Sequence, residues 1–95
     1  MTERPVTQEA LEAMIERLED FMKDTENVIN TLQKAANECA DNMNGDIVGA
    51  KAIISVNKSI GNYHQTYNDA AELHEKMKSK LTNLLEMKEI MEGDY

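Results

Sequence analysis

One turn signal, Asn44-Gly45, interrupts a chain that otherwise carries helical patterning along almost its whole length. Asn and Gly tolerate the left-handed backbone conformation with which a chain leaves a helix. Pro5 is the only proline, so every later residue is free to be helical. Because a short link makes two helices antiparallel neighbours, the sequence predicts an all-α fold, an antiparallel two-helix hairpin with its turn at about 43–46.

The first predicted helix spans about residues 7–42 and carries a broad apolar stripe. Its apolar side chains step by three and four residues and fill three positions per heptad, as in a helix buried in a bundle. Thr7 is the expected N-cap, and Thr25 is the one polar break in the stripe. The stripe comprises Leu11, Met14, Ile15, Leu18, Phe21, Met22, Val28, Ile29, Leu32, Ala35, Ala36, Cys39 and Met43.

The second predicted helix spans about residues 47–91 and carries a strict heptad seam. Asp46 is placed to cap this helix and Gly93 to end it. Gly61 lies inside it, either as a tolerated weak point or as the site of a kink or a close helix contact. The seam comprises Ile53, Val56, Ile60, Tyr63, Tyr67, Ala70, His74, Met77, Leu81, Leu84, Lys88, Met91 and Tyr95.

Charge distribution suggests how the two helices are aligned. If the turn centres near Asn44, residue i of the first helix faces about residue 89 − i of the second. The lysines of residues 76–80 then lie beside the acidic residues of 9–16. Exposed ion pairs stabilise little, so this charge match predicts alignment more than stability.

The overall composition limits the possible partners and location. The chain is a single domain of 95 residues with 18 acidic and 10 basic side chains, giving a net charge of −8. Nucleic acid and anionic membrane surfaces would repel it, so we expect neither as a partner. With no apolar run of membrane-spanning length and no conventional signal peptide, we expect a cytoplasmic protein or one secreted without a cleaved signal peptide.

The sequence contains no recognisable set of catalytic, metal-binding or cofactor-binding residues. His64 and His74 lie about 15 Å apart along one helix, too far to share a metal, and neither belongs to a Glu-x-x-His motif. We therefore expect no enzymatic activity, no metal and no cofactor. His74 is interpreted as a partly buried, hydrogen-bonded packing residue, with a pH-sensitive interface as the alternative. Cys39 is interpreted as a small core residue rather than a reactive thiol.

Stripes three positions wide predict an interface. Two helices in contact along one line leave part of each stripe in water, and apolar patches of that size usually mark a binding surface. We expect dimerisation with another helical hairpin to bury the remainder in a four-helix bundle. The candidate interface residues are the outward-facing apolar side chains Met22, Ile29, Leu73, Leu85 and Ile90.

The chain resembles the WXG100 (ESAT-6-like) proteins of type VII secretion and their Trp-less relatives found beside LXG toxins. The resemblance covers nearly the whole chain in length, acidity, two long helices and a turn near the midpoint. Met43-Asn44-Gly45 stands where that family has Trp-x-Gly; Gly45 matches, and Met43 takes the place of the Trp. The family's Tyr-x-x-x-Asp/Glu export signal is missing, since the fourth residues after Tyr63 and Tyr67 are Tyr67 and Ala71.

This resemblance implies a small binding protein linked to secretion. Its partner would be a second hairpin, in a homodimer or heterodimer, or the helical N-terminal region of a secreted effector. The protein would act as a targeting chaperone or as a co-secreted dimer subunit, with the partner supplying the export signal. The alternative is a cytoplasmic coiled-coil adaptor or structural dimer unrelated to secretion.

Overall fold

A computed structural model describes residues 7–42 and 45–93 of the chain, which form two α-helices. Helix α1 spans Gln8–Asn42 and helix α2 spans Ile47–Gly93. The Cys39 thiol lies 3.8 Å from the Gly49 carbonyl oxygen beside the elbow, and Glu19 Oε1 lies 3.6 Å from His74 Nε2 farther along both helices, so the helices run antiparallel. The predicted all-α hairpin is confirmed, and each helix begins and ends within two residues of the expected position.

Local capping chemistry explains where each helix begins. The Thr7 hydroxyl accepts a hydrogen bond of 3.1 Å from the backbone N–H of Ala10. The Asp46 carboxylate accepts one of 2.9 Å from the backbone N–H of Val48. Both side chains satisfy backbone donors that have no partner inside the helix, so the predicted caps are confirmed.

The elbow between the helices depends on a glycine. Gly45 has a φ of +86°, a conformation that residues with a Cβ rarely adopt. A Cβ built on Gly45 would meet no atom within 4 Å, so its requirement for glycine is conformational rather than steric. Met43 and Asn44, the other members of the predicted turn motif, lie outside the described residues.

The seam between the helices follows the predicted spacing. The most buried side chains of α1 recur at helical intervals and meet the buried Ala70 and the half-buried seam residues of α2. Thr25 is buried at the break in the stripe, and its hydroxyl donates a hydrogen bond of 2.7 Å to the Phe21 carbonyl. The buried residues of α1 are Leu11, Ile15, Thr25, Ile29 and Ala36.

The alignment of the helices corrects the expected pairing. His74 Nε2 lies 3.6 Å from Glu19 Oε1, and Lys88 lines a shallow groove with Glu9 and Glu12 at the start of α1. At the level of the side chains, residue i therefore faces about residue 93 − i. The offset arises because side chains lean towards the N-terminus of their own helix, and antiparallel helices lean in opposite directions.

The hairpin is one helix layer thick. Its principal extents are 75 × 29 × 15 Å, and its radius of gyration is 21.2 Å. A compact chain of this length would have a radius of gyration of about 12 Å. Stable domains usually pack two or three layers around a core, whereas the two helices of residues 7–42 and 45–93 form a single layer.

Candidate interaction surface

The two broad sides of the hairpin carry different side chains. In α1, Met14, Phe21 and Val28 recur every seven residues, directly before Ile15, Met22 and Ile29, which are buried or half-buried in the seam. Leu73 has the same place in α2, directly before the seam residue His74. On the other flank of α1, Glu12, Glu19, Glu26 and Gln33 directly follow the buried or half-buried seam residues Leu11, Leu18, Thr25 and Leu32.

Antiparallel packing places equivalent flanks of the two helices on the same side. A shallow groove lined by Glu26, Gln33 and His64 shows this directly, because all three residues follow seam positions. The residues that precede seam positions must then share the opposite side. We call that side, with Met14, Phe21, Val28 and Leu73, the apolar face, and the side with Glu19, Glu26, Gln33 and His64 the polar face.

Large side chains of the apolar face are accessible to solvent in the isolated hairpin. Met14, Phe21 and Leu73 keep 48%, 46% and 41% of their surface exposed, and Val28 keeps 38%. The chain as a whole exposes 7811 Å², where a compact monomer of the same mass would expose roughly 5,500 Å². The apolar face therefore keeps four large apolar side chains partly exposed in the isolated hairpin.

The polar face is acidic along α1 and holds the most buried imidazole. The His74 side chain is 13% exposed, and its Nε2 is buried with no hydrogen-bond partner among the described residues. The carboxylate of Glu19 stands 3.6 Å from that nitrogen. His74 thus packs in the seam as predicted, but its Nε2 does not form the expected hydrogen bond with any residue that the structure describes.

The predicted interface residues do not share one surface. Leu73 lies on the apolar face, whereas Leu85 directly follows the seam residue Leu84 and lies on the polar side. Ile90 is 66% exposed near the end of α2, where α1 no longer runs beside it. Met22 is half-buried in the seam.

The expectation that Ile29 faces outward is wrong. Ile29 is only 5% exposed, because it is a seam residue that α2 covers. Its neighbour Val28 is the residue that stays accessible. The stripe predicted from the sequence includes Met14, Phe21 and Val28 without separating them as a surface row, although their seven-residue spacing beside the seam was a usable signal.

The elbow end of α2 carries a second exposed apolar group. Ile47, Val48 and Ile54 are each about two-thirds exposed or more. Beside them, Cys39 is half-buried against the backbone of Gly49, as expected of a small packing residue. Small residues near the elbow, among them Ala36 and Ala40 in α1 and Gly49 in α2, allow the two helices to approach closely.

Other kinds of site find little support in the described part of the chain. Within residues 7–42 and 45–93, no three His, Cys, Asp or Glu side chains are grouped so as to hold a metal ion. Neither helix, over its described length, is apolar enough to cross a membrane. No protein-family model matches the chain, and no curated protein or solved structure matches it significantly.

Proposed function

We propose that the protein is a small helical-hairpin binding protein whose apolar face packs against another pair of helices. The observation that carries this proposal is the row of Met14, Phe21 and Val28, exposed along a hairpin only one layer thick. Covering this row would remove apolar surface from water, the main driving force in most protein association. The product would be a four-helix bundle in which each hairpin supplies two helices.

We further propose a role linked to type VII secretion, as the resemblance to WXG100 proteins implies. The protein would pair with a second hairpin or with the helical N-terminal region of an exported effector, keep that region soluble, and present it for export. The positive φ of Gly45 supports the comparison of Met43-Asn44-Gly45 with the family's turn motif. The protein would be cytoplasmic until export and would leave the cell without a cleaved signal peptide.

Co-purification with the products of neighbouring genes tests the proposal. The affinity-tagged chain should retain a helical partner, and native mass spectrometry should give the mass of the complex. The variant Met14→Glu/Val28→Glu should no longer bind the partner. Its circular dichroism spectrum should remain that of a helical protein, because Glu is a good helix former. The matched control, Ala13→Glu/Asn27→Glu, adds the same two charges one residue away from that row and should retain the partner.

Three outcomes separate the competing functions. A complex that needs the apolar face and appears in culture supernatant only when the type VII machinery is intact supports the secretion role. The same complex retained in the cytoplasm under all conditions supports the coiled-coil adaptor instead. Failure of the tagged wild-type chain to retain any partner, including a second copy, refutes the binding function.

A further inference from the structure

We infer that the occupant of the apolar face is a second copy of this chain, packed face to face with the two elbows at opposite ends. This inference rests on the proposed binding function and adds the identity of the partner and its orientation. It is carried by the arrangement of charges beside the apolar row, which is complementary to itself in one orientation only.

The apolar row of α1 is nearly symmetric about Phe21. Met14 lies seven residues before Phe21, and Val28 lies seven residues after it. Arg17 borders the row between Met14 and Phe21, and Asp24 borders it between Phe21 and Val28, at the three- and four-residue spacings that make neighbours on a helix. A half-turn about Phe21 therefore exchanges Met14 with Val28 and brings Arg17 to within one residue of the position of Asp24.

The same symmetry recurs in α2 about Leu73. Asp69 lies four residues before Leu73 and Lys76 lies three residues after it, again on the outer border of the apolar face. A half-turn about Leu73 brings this acid to within one residue of the position of this base. Lys76 also lies 3.4 Å from Glu72 on its own helix, but both side chains are largely exposed, and such a pair contributes little.

The two centres of symmetry lie at one level of the hairpin. Because Glu19 meets His74, the side chains of Phe21 and Leu73 stand side by side across the seam. Arg17 and Lys76 likewise share a level, and Asp24 and Asp69 share another about 10 Å nearer the elbow. The apolar face thus has a basic band, an apolar centre and an acidic band in succession.

This banding favours one of the two symmetric ways to pack two copies. With both elbows at the same end, each α1 faces the other copy's α2, so Arg17 meets Lys76 and Asp24 meets Asp69. Both contacts oppose like charges, which is unfavourable across an interface. With the elbows at opposite ends, each helix faces its own equivalent, Arg17 meets Asp24, and Lys76 meets Asp69.

The second arrangement also matches the apolar side chains. Phe21 then meets Phe21 of the second copy, Leu73 meets Leu73, and Met14 meets Val28. Lys80, which lies farther from the elbow on the same side of α2, meets Thr66 rather than another base. A contact in which each patch binds its own equivalent is the isologous interface of a twofold-symmetric dimer.

The overlap has the size that a stable dimer needs. Centring the contact on Phe21 lets α1 overlap its equivalent over roughly 26 residues, a length of about 40 Å. Two adjacent helices present a width of about 20 Å, so each copy contributes about 800 Å². That area matches the usual contribution of each partner to a specific protein interface.

Charge-swapped variants test the inference. Arg17→Asp and Asp24→Arg each place like charges at both symmetric contacts, so each variant alone should dimerise at least tenfold more weakly than the wild type. When the two variants are mixed, the carboxylate introduced at position 17 of one chain should meet the guanidinium introduced at position 24 of the other. A heterodimer should then form with a Kd within about threefold of the wild-type value. The controls Lys34→Asp and Asp20→Arg make the same charge changes on the outer side of α1. Each should dimerise with a Kd within threefold of the wild-type value.

Sedimentation equilibrium at physiological salt measures these constants, and pulsed electron paramagnetic resonance measures the orientation. A spin label on Asn37→Cys in a Cys39→Ser background should give a distance of about 50 Å between copies when the elbows are at opposite ends. A distance near 20 Å, or an Arg17→Asp variant that dimerises as tightly as the wild type, would overturn the orientation. If the wild-type chain stays monomeric at 100 μM, a second copy is not what covers the apolar face. The proposed binding function survives that result if a different protein binds the chain and loses binding in the Met14→Glu/Val28→Glu variant.

Discussion

Two glycine substitutions of the same chemical kind should have opposite effects on stability. Gly45 sits at the elbow with a φ of +86°, whereas Gly61 lies within α2 with ordinary helical geometry and a free space where a Cβ would stand. Gly45→Ala should cost about 1–2 kcal/mol, because a Cβ in the left-handed region contacts the following carbonyl oxygen. Gly61→Ala should stabilise by about 1 kcal/mol, because alanine loses less backbone freedom in a helix.

The expected melting shifts follow from the length of the chain. An unfolding entropy of about 2.1 cal/mol/K per residue amounts to about 0.2 kcal/mol/K for a chain of this size. Gly45→Ala should therefore lower Tm by about 5–10 °C, and Gly61→Ala should raise it by about 5 °C. Circular dichroism melts at one fixed protein concentration measure both, since association makes Tm depend on concentration.

The two shifts must differ in sign for this reasoning to hold. If both substitutions shift Tm in the same direction, backbone conformation is not what distinguishes the two glycines. Gly45→Val should cost more than Gly45→Ala, because a β-branched residue tolerates positive φ least. An unchanged Tm in Gly45→Val would mean that the chain turns elsewhere or continues as one helix.

Two further predictions concern neighbouring or alternative surface residues. Ile29→Ala should lower the free energy of unfolding by about 2–5 kcal/mol, because it removes a side chain that α2 covers and leaves a cavity. Val28→Ala, at the adjacent and more exposed residue, should lower it by less than about 1 kcal/mol. Urea titrations measure both values, and equal losses would contradict the assignment of the seam. Phe21→Glu should raise the dissociation constant measured by sedimentation at least tenfold, because it places a charge in the covered contact. Leu85→Glu, on the polar face, should change that constant less than threefold. The reverse order would assign the interface to the polar face.

Several features of this hairpin could be predicted because short-range chemistry decides them. Thr7 and Asp46 cap helices through bonds to backbone groups two or three residues away. Gly45 lies at the elbow because the backbone there has a positive φ, which residues with a Cβ rarely adopt. The helix bounds follow from the same signals, together with apolar spacing that repeats along each arm. None of these depends on where the other helix lies.

The choice between adjacent apolar residues required the packed hairpin. Val28 and Ile29 are both apolar and both belong to a stripe three positions wide, yet only Ile29 is covered. Which of them faces inward depends on how α2 is rotated and aligned against α1, and that is decided by packing over the whole seam. Leu73 and Leu85 look equally suited to an interface in the sequence, but antiparallel packing puts them on opposite sides.

The two helices, their caps and the elbow can thus be read from the amino-acid order, because the forces that set them act within a few residues. The meeting of Glu19 with His74, and the single face formed by Met14, Phe21, Val28 and Leu73, emerge when the helices pack. When an apolar stripe is wider than one line of helix contact, the stripe alone does not determine which of its residues are buried. The packing of the second helix decides this. What the second helix leaves uncovered is the surface available to a partner.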